Sequence, residues 1–205
     1  MQPQRVRAKK STDDNPVFFY RPHERHGLFS QWYPSYFTVL NSSVTALVGP
    51  HLFSDSPDSC TAFNCAEQFM MYCKAARFSD NPCQSQILNT DNPGDQKKLG
   101  QEVKGYDEVS WREVNSAVVE MGNYAKFGQD KRLKEYLLGT GERELVEASV
   151  TDRIWGIGFS AKTDVGERMA LANRDQWGEN KLGKALVAVR TRLREEDKGI
   201  EVSQK

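Results

Sequence analysis

The sequence predicts an α+β fold, predominantly α-helical and in one domain, with a small N-terminal β-hairpin or meander. Three observations lead there. Short apolar or alternating runs, VFFY (17–20), YFTVL (36–40) and VTALVG (44–49), crowd the beginning of the chain. From residue 64 onward the apolar residues recur at helical spacing instead. The chain's 205 residues suit a single core, since roughly 100–200 residues per domain is usual.

Residues 1–15 are polar, basic and then acidic, and are expected to be a disordered tail. The Asn-Ser-Ser at 41–43 reads as a turn joining the strands at 36–40 and 44–49, and the Ser-, Asp- and Pro-rich stretch 51–63 reads as a loop. A helix follows at 64–78, then breaks at SDNP (79–82) and TDNPG (90–94) around a short helical piece near 85–89. DQKKLGQEVKG gives another short helix ending near Gly105. Ser110 with Glu113 three residues later forms a capping-box pattern that places Trp111 at the first helical position. Val114, Ala117, Val118, Met121 and Ala125 carry that helix on, and QDKRLKEYLLG continues as one that stops at Gly139 or Gly141. ELVEAS (144–149) reads as a strand, and DRIWGIGFSAK (152–162) as an irregular loop. Asn180 is placed to cap a last helix with Leu182, Leu186, Val189 and Leu193 as its buried stripe. The domain thus spans 16–194, and residues 195–205 are expected to fray as a charged tail.

Lysine plus arginine (28) equal aspartate plus glutamate (28), so no net field draws the chain to polyanions. No apolar run approaches the ~20 residues of a membrane span, and the N-terminal stretch lacks a signal peptide's apolar core; a cytoplasmic protein without membrane contact is expected. Cys60, Cys65, Cys73 and Cys83 form no C-x-x-C pair and read as reduced thiols. His23 and His26 lack companions for a ligand shell, so neither a metal nor a cofactor is expected. Phosphate-loop, Rossmann, serine-elbow and H-E-x-x-H patterns are missing, which disfavours those chemistries.

The helix FNCAEQFMMYCKAARF (63–78) carries two charges, Glu67 and Lys74, inside an otherwise apolar arc. Seven residues apart, they lie on nearly one line about 10 Å apart along the axis and cannot pair as i, i+4 neighbours do. Each therefore needs a partner from elsewhere, whether a structural ion pair or a ligand. In TDRIWGIG (151–158), Asp152 and Trp155 stand beside Gly156 and Gly158, suited either to a capped turn with a core indole or to close approach of a ligand. Trp111 either plugs the core or lies at an anion-favouring helix N-terminus, and Asn180 is either a turn cap or an anion or ribose contact.

In order, FSQWYPS (29–35), F-x-x-A-E-Q-F-M-M-x-x-K-A (63–75), K-x-L-G-x-x-V-K-G-Y-D-x-x-x-W (97–111, from Lys98 with one residue of slack), KF (126–127), L-L-x-T-G (137–141), LVEAS…DRIWGIG (145–158) and W-G-x-N-x-L-G-x-A-L (177–186) resemble the NADAR superfamily of YbiA-like N-glycosidases from about Phe18 to Leu193. The resemblance implies a compact, mainly helical α+β domain that hydrolyses the C–N bond between ribose and a heterocyclic base. Family members act on early phosphorylated riboflavin intermediates or remove ADP-ribose from guanine. The implied substrate is thus nucleotide-like, a small molecule or an ADP-ribosylated nucleic acid; a non-catalytic module for ADP-ribose or an NAD derivative is the alternative. The carried-over catalytic residues are Glu67, Lys74 and Asp152, with Trp111 and Trp155 in the site; Ser30, Gln31, Trp32, Gly156 and Asn180 complete the expected substrate contacts. The chain departs from the family's S-N-F at Gln31 and Trp32, and has Gln101 where an arginine is common. Lys98 or Lys104 is the expected replacement for that cation.

Overall fold

The computed structural model describes residues 15–203, so the tail expected over 1–15 falls, but for Asn15, outside the described residues. In chain order the elements are β1 (Val17–Phe19), β2 (Phe37–Leu40), α1 (Asn41–Val48), β3 (Cys60–Phe63), α2 (Ala66–Arg77), α3 (Asn81–Leu88), α4 (Pro93–Gln101), α5 (Glu108–Gln129), α6 (Lys131–Leu138), β4 (Leu145–Glu147), α7 (Asp164–Ala172) and α8 (Lys181–Ser203). The fold is α+β and mostly helical, as the sequence predicts. β1 pairs with β4 in parallel, Val17 opposite Leu145 and Phe19 opposite Glu147, while β2 pairs with β3 antiparallel, Phe37 opposite Phe63.

Helix α2 is the centre of the molecule. It packs on α1, α3, α4 and α5, and all its residues but Lys74 and Arg77 are buried. A helix covered on nearly every side must be apolar nearly all round, which is why Phe69, Met70, Met71, Tyr72 and Cys73 run consecutively. Its start is fixed by Cys65, whose sulfur accepts the Gln68 N–H at 3.5 Å and donates to Gln96 Oε1 at 3.2 Å. The long pair α5 and α8 closes the other side, with Val118, Phe127, Leu186 and Val189 fully buried.

Several elements differ from expectation. The run 44–49 is helical, not a strand: Val44 and Val48, one turn apart, are the buried pair, whereas β2 finds its partner in β3, within the stretch expected to be loop. Asn41 makes that rearrangement possible, its Oδ1 accepting from Thr61 Oγ1 at 2.7 Å and its Nδ2 donating to the Ser56 carbonyl at 2.9 Å. Helix α5 begins before the expected capping box, because Asp107 takes the N-cap position and accepts the Ser110 N–H at 2.7 Å. Ser110 and Glu113 instead both receive Arg77, at 3.0 and 3.2 Å. Helix α7 had no counterpart in the sequence reading. Helix α8 runs on to Ser203 rather than fraying at 195, with Tyr124 donating to Glu196 at 2.9 Å and Lys134 paired with Asp197 at 2.5 Å. Among the described residues no helix is long and apolar enough to cross a membrane.

Candidate active site

A cleft of about 650 Å³ opens where the segment after β1, one face of α2 from Glu67 to Lys74, the end of α4, the start of α5, and the end of β4 with the segment after it converge. Glu67, Lys74, Asp152, Ser30, Gln31, Trp32, Trp111 and Trp155 all line it. Gly156 and Asn180 do not. Asn180 sits at a left-handed φ of 50°, a conformation asparagine tolerates. Its carboxamide is committed to β4, accepting the Glu147 N–H at 3.1 Å and donating to the Leu145 carbonyl at 2.9 Å. A Cβ on Gly156 would stand 2.8 Å from the Glu147 carbonyl oxygen, so its bareness serves packing against β4. The expected direct ligand contacts of these two residues are thereby corrected: both act on the backbone of Glu147.

The Ser30–Trp32 segment is docked on α2 by its main chain. The Gln31 carbonyl accepts the Glu67 N–H at 3.0 Å. Gln31 Oε1 accepts from Asn123 at 2.8 Å, and its amide nitrogen points to the Met70 sulfur at 3.8 Å. Ser30 Oγ accepts the Trp32 N–H at 3.3 Å. Below them, the wholly buried ammonium of Lys126 donates to the carbonyls of Leu28 and Ser30 at 2.8 and 2.9 Å. Burial brings its pKa down to about 7. Lys126 lies outside the cleft and shapes it through this segment.

Electrostatically the cleft gathers acids. Burial drives the Glu67 carboxyl up to about 7, Asp152 adds to the rise, and Lys97, the Trp32 indole and Lys74 oppose it. Glu147, a residue the sequence reading passed over, lines the same space and is pushed up to about 8, by burial first and then by Asp152 and Glu67. Asp152 Oδ1 caps its own loop, accepting the N–H groups of Ile154 and Trp155 at 2.9 and 2.8 Å, so the turn-cap reading and the cleft reading hold together. Lys74 donates to the Gly100 carbonyl at 2.7 Å and lies 4.2 Å from the Tyr106 ring centre. Its half-burial lowers its pKa, while Cys83 and Glu67 pull the other way.

Neither Lys98 nor Lys104 lines the cleft, whereas Lys97 and Arg21 do, beside Gln101. Lys98 instead pairs with Asp95 on the surface at 3.3 Å, and Lys104 is exposed outside the cleft. Adjacent lysines point in different directions on a helix, about 100° apart, so one residue of slack in aligning the motif decides which faces the ligand. Glu147 did leave a signal, a carboxylate in the otherwise apolar strand LVEAS. Among the described residues no group of three His, Cys, Asp or Glu side chains is arranged to hold a metal ion.

The NADAR domain family model matches residues 18–194. The N-glycosidase R617 of Acanthamoeba polyphaga mimivirus is 32% identical over 182 residues, covering 86% of this chain and 95% of its own. The riboflavin biosynthesis protein VVA0006 of Vibrio vulnificus is 28% identical over 89% of this chain, which spans only 40% of that protein. In fold, the solution structure of the Escherichia coli protein YbiA superimposes with a TM-score of 0.64 at 22% identity, covering 93% of this chain and 92% of that one.

Proposed function

The chain belongs to the NADAR domain family, and on that premise we propose that its cleft hydrolyses the C–N bond between a ribose and a heterocyclic base. The observation that carries the reading is the convergence in one cleft of two carboxyls with raised proton affinity, a third carboxyl and three indoles. Cleaving such a bond builds positive charge at C1′ while the base leaves with the bonding electron pair. The Glu67 carboxyl, held partly protonated near neutral pH, gives its proton to the departing ring nitrogen. Asp152 faces the developing cation and takes the proton of the water that adds to C1′. Trp32, Trp111 and Trp155 offer the base stacking faces. Lys74, its ammonium disfavoured by burial, is suited to condense with the C1′ aldehyde of an opened sugar, forming an imine and releasing water.

For substrate, we propose either ADP-ribosylated guanine or an early riboflavin-pathway ribosylaminopyrimidine phosphate, with Lys97 and Arg21 at the rim receiving phosphate. The test incubates the protein with each and follows released base or ADP-ribose. Turnover by wild type that Glu67→Gln abolishes is expected; turnover of neither, or full activity in Glu67→Gln, would sink the proposal. Borohydride added during turnover leaves a sugar adduct on Lys74 only if the imine forms.

A further inference from the structure

Glu147 belongs to no role yet assigned, and the fold spends unusual effort on placing it. Its N–H is held by Asn180 Oδ1 at 3.1 Å, and its carbonyl accepts the Ile157 N–H at 3.0 Å. Parallel pairing sets it opposite Phe19, and Gly156 has no side chain so that the chain can pass close to its carbonyl. Two of the motifs that stand out in the sequence, W-G-x-N and IWGIG, thus converge on this one residue's main chain. The side chain so fixed enters the cleft, yet its Oε2 is buried without a hydrogen-bond partner. Leaving a buried polar atom unpaired costs about 1–3 kcal/mol, a cost that a purely structural glutamate would avoid.

We propose that Glu147 is a specificity-determining residue that hydrogen-bonds the ribose 2′-hydroxyl of the substrate through its carboxyl group. The inference rests on the glycosidase reading above, which sets Glu67 and Asp152 around C1′. Glu147 lies close enough to both acids for each to raise its proton affinity, and the carbon next to C1′ that bears a hydroxyl is C2′. A carboxyl kept largely neutral both donates and accepts, so it matches a hydroxyl without setting another full negative charge beside Glu67 and Asp152. Hydrogen bonds to this hydroxyl strengthen as an oxocarbenium ion forms, so the contact would raise the rate as well as select ribose.

The test compares kcat/KM of wild type, Glu147→Ala and Glu147→Gln on a ribosylaminopyrimidine 5′-phosphate and its 2′-deoxyribosyl counterpart. Thermal melting and circular dichroism confirm folding of each variant. Taking each variant's ribose-to-deoxyribose ratio relative to wild type cancels the intrinsic lability of the deoxyribosyl bond. Glu147→Ala is expected to lose about 10- to 100-fold on the ribosyl substrate and little on the deoxy one. Glu147→Gln, which still donates and accepts, should recover most of the discrimination. Equal losses on both sugars, or a glutamine variant no better than alanine, would overturn the assignment. Calorimetry with ribose 5-phosphate and 2-deoxyribose 5-phosphate provides a readout without turnover. If wild type cleaves neither of these nor ADP-ribosylated guanine, the glycosidase reading fails, while a preference for ribose 5-phosphate that Glu147→Ala abolishes would still support the contact, and no such preference would refute it.

Discussion

At the level of single residues, the acids of the cleft link stability to function. In the proposed mechanism Glu67 holds a proton to release the base, so kcat/KM of the wild type should fall as pH rises through about 7. Glu67→Gln should lower kcat at least about 100-fold with a smaller change in KM, as measured by steady-state kinetics. Glu147 titrates in the folded protein near 8 rather than at its ordinary 4.5. The unfolded chain thus releases that proton first, and the stability associated with it is complete below about 4.5 and lost as pH climbs towards 8. Glu147→Gln, which cannot ionise, should therefore melt progressively higher than wild type as pH is raised across that window and level off above it, as read by calorimetric melting. Glu67 and Lys74 were legible from the sequence because charges in an apolar arc of a helix demand partners. Glu147 was not singled out, because a strand of three residues shows too few alternations for one carboxylate to look misplaced.

Among the elements, local pattern succeeded where one period dominated and failed where two were admissible. Helix α2, with its unbroken apolar run, was recognisable; α1 was not, because VTALV satisfies both strand propensity and an i, i+4 apolar pair. Contacts distant in sequence go with the helical choice: Thr61 and Ser56 bind Asn41, and β3 pairs with β2. The cleft's geometry depends on such long-range ties. Lys126→Met would leave the carbonyls of Leu28 and Ser30 without their donor, costing about 1–3 kcal/mol. Faster hydrogen exchange of the amides over 28–33 and a raised KM are the expected readouts. Helix α8 meets β4 closely enough that a Cβ on Gly183 would lie 2.0 Å from the Leu145 carbonyl oxygen. Gly183→Ala should consequently lower the melting temperature markedly and weaken activity, since α8 cannot retreat without releasing Asn180 from Glu147.

Over the whole molecule, the two small sheets are less a core than a pair of brackets: one joins the chain's beginning to β4, the other holds α1 and α2 in register. Residues distant in sequence reach the cleft through this arrangement, which is why the sequence showed the site as scattered motifs. The far end of α8 is tied to α5 and α6 by Tyr124–Glu196 and Lys134–Asp197. These pairs are partly exposed and worth about 0–1 kcal/mol each, so removing residues 195–205 should lower the melting point by a few degrees and leave kcat/KM intact. Three of the four tryptophans surround one cleft, and the Trp32 indole there lies close enough to the carboxyl expected to donate the proton to lower its proton affinity. The protein therefore carries its own fluorophore at the reaction centre. Its emission should shift when Glu67 changes protonation or a ligand enters, and Trp32→Phe should silence most of the protonation-dependent part, so occupancy could be followed in real time without a label.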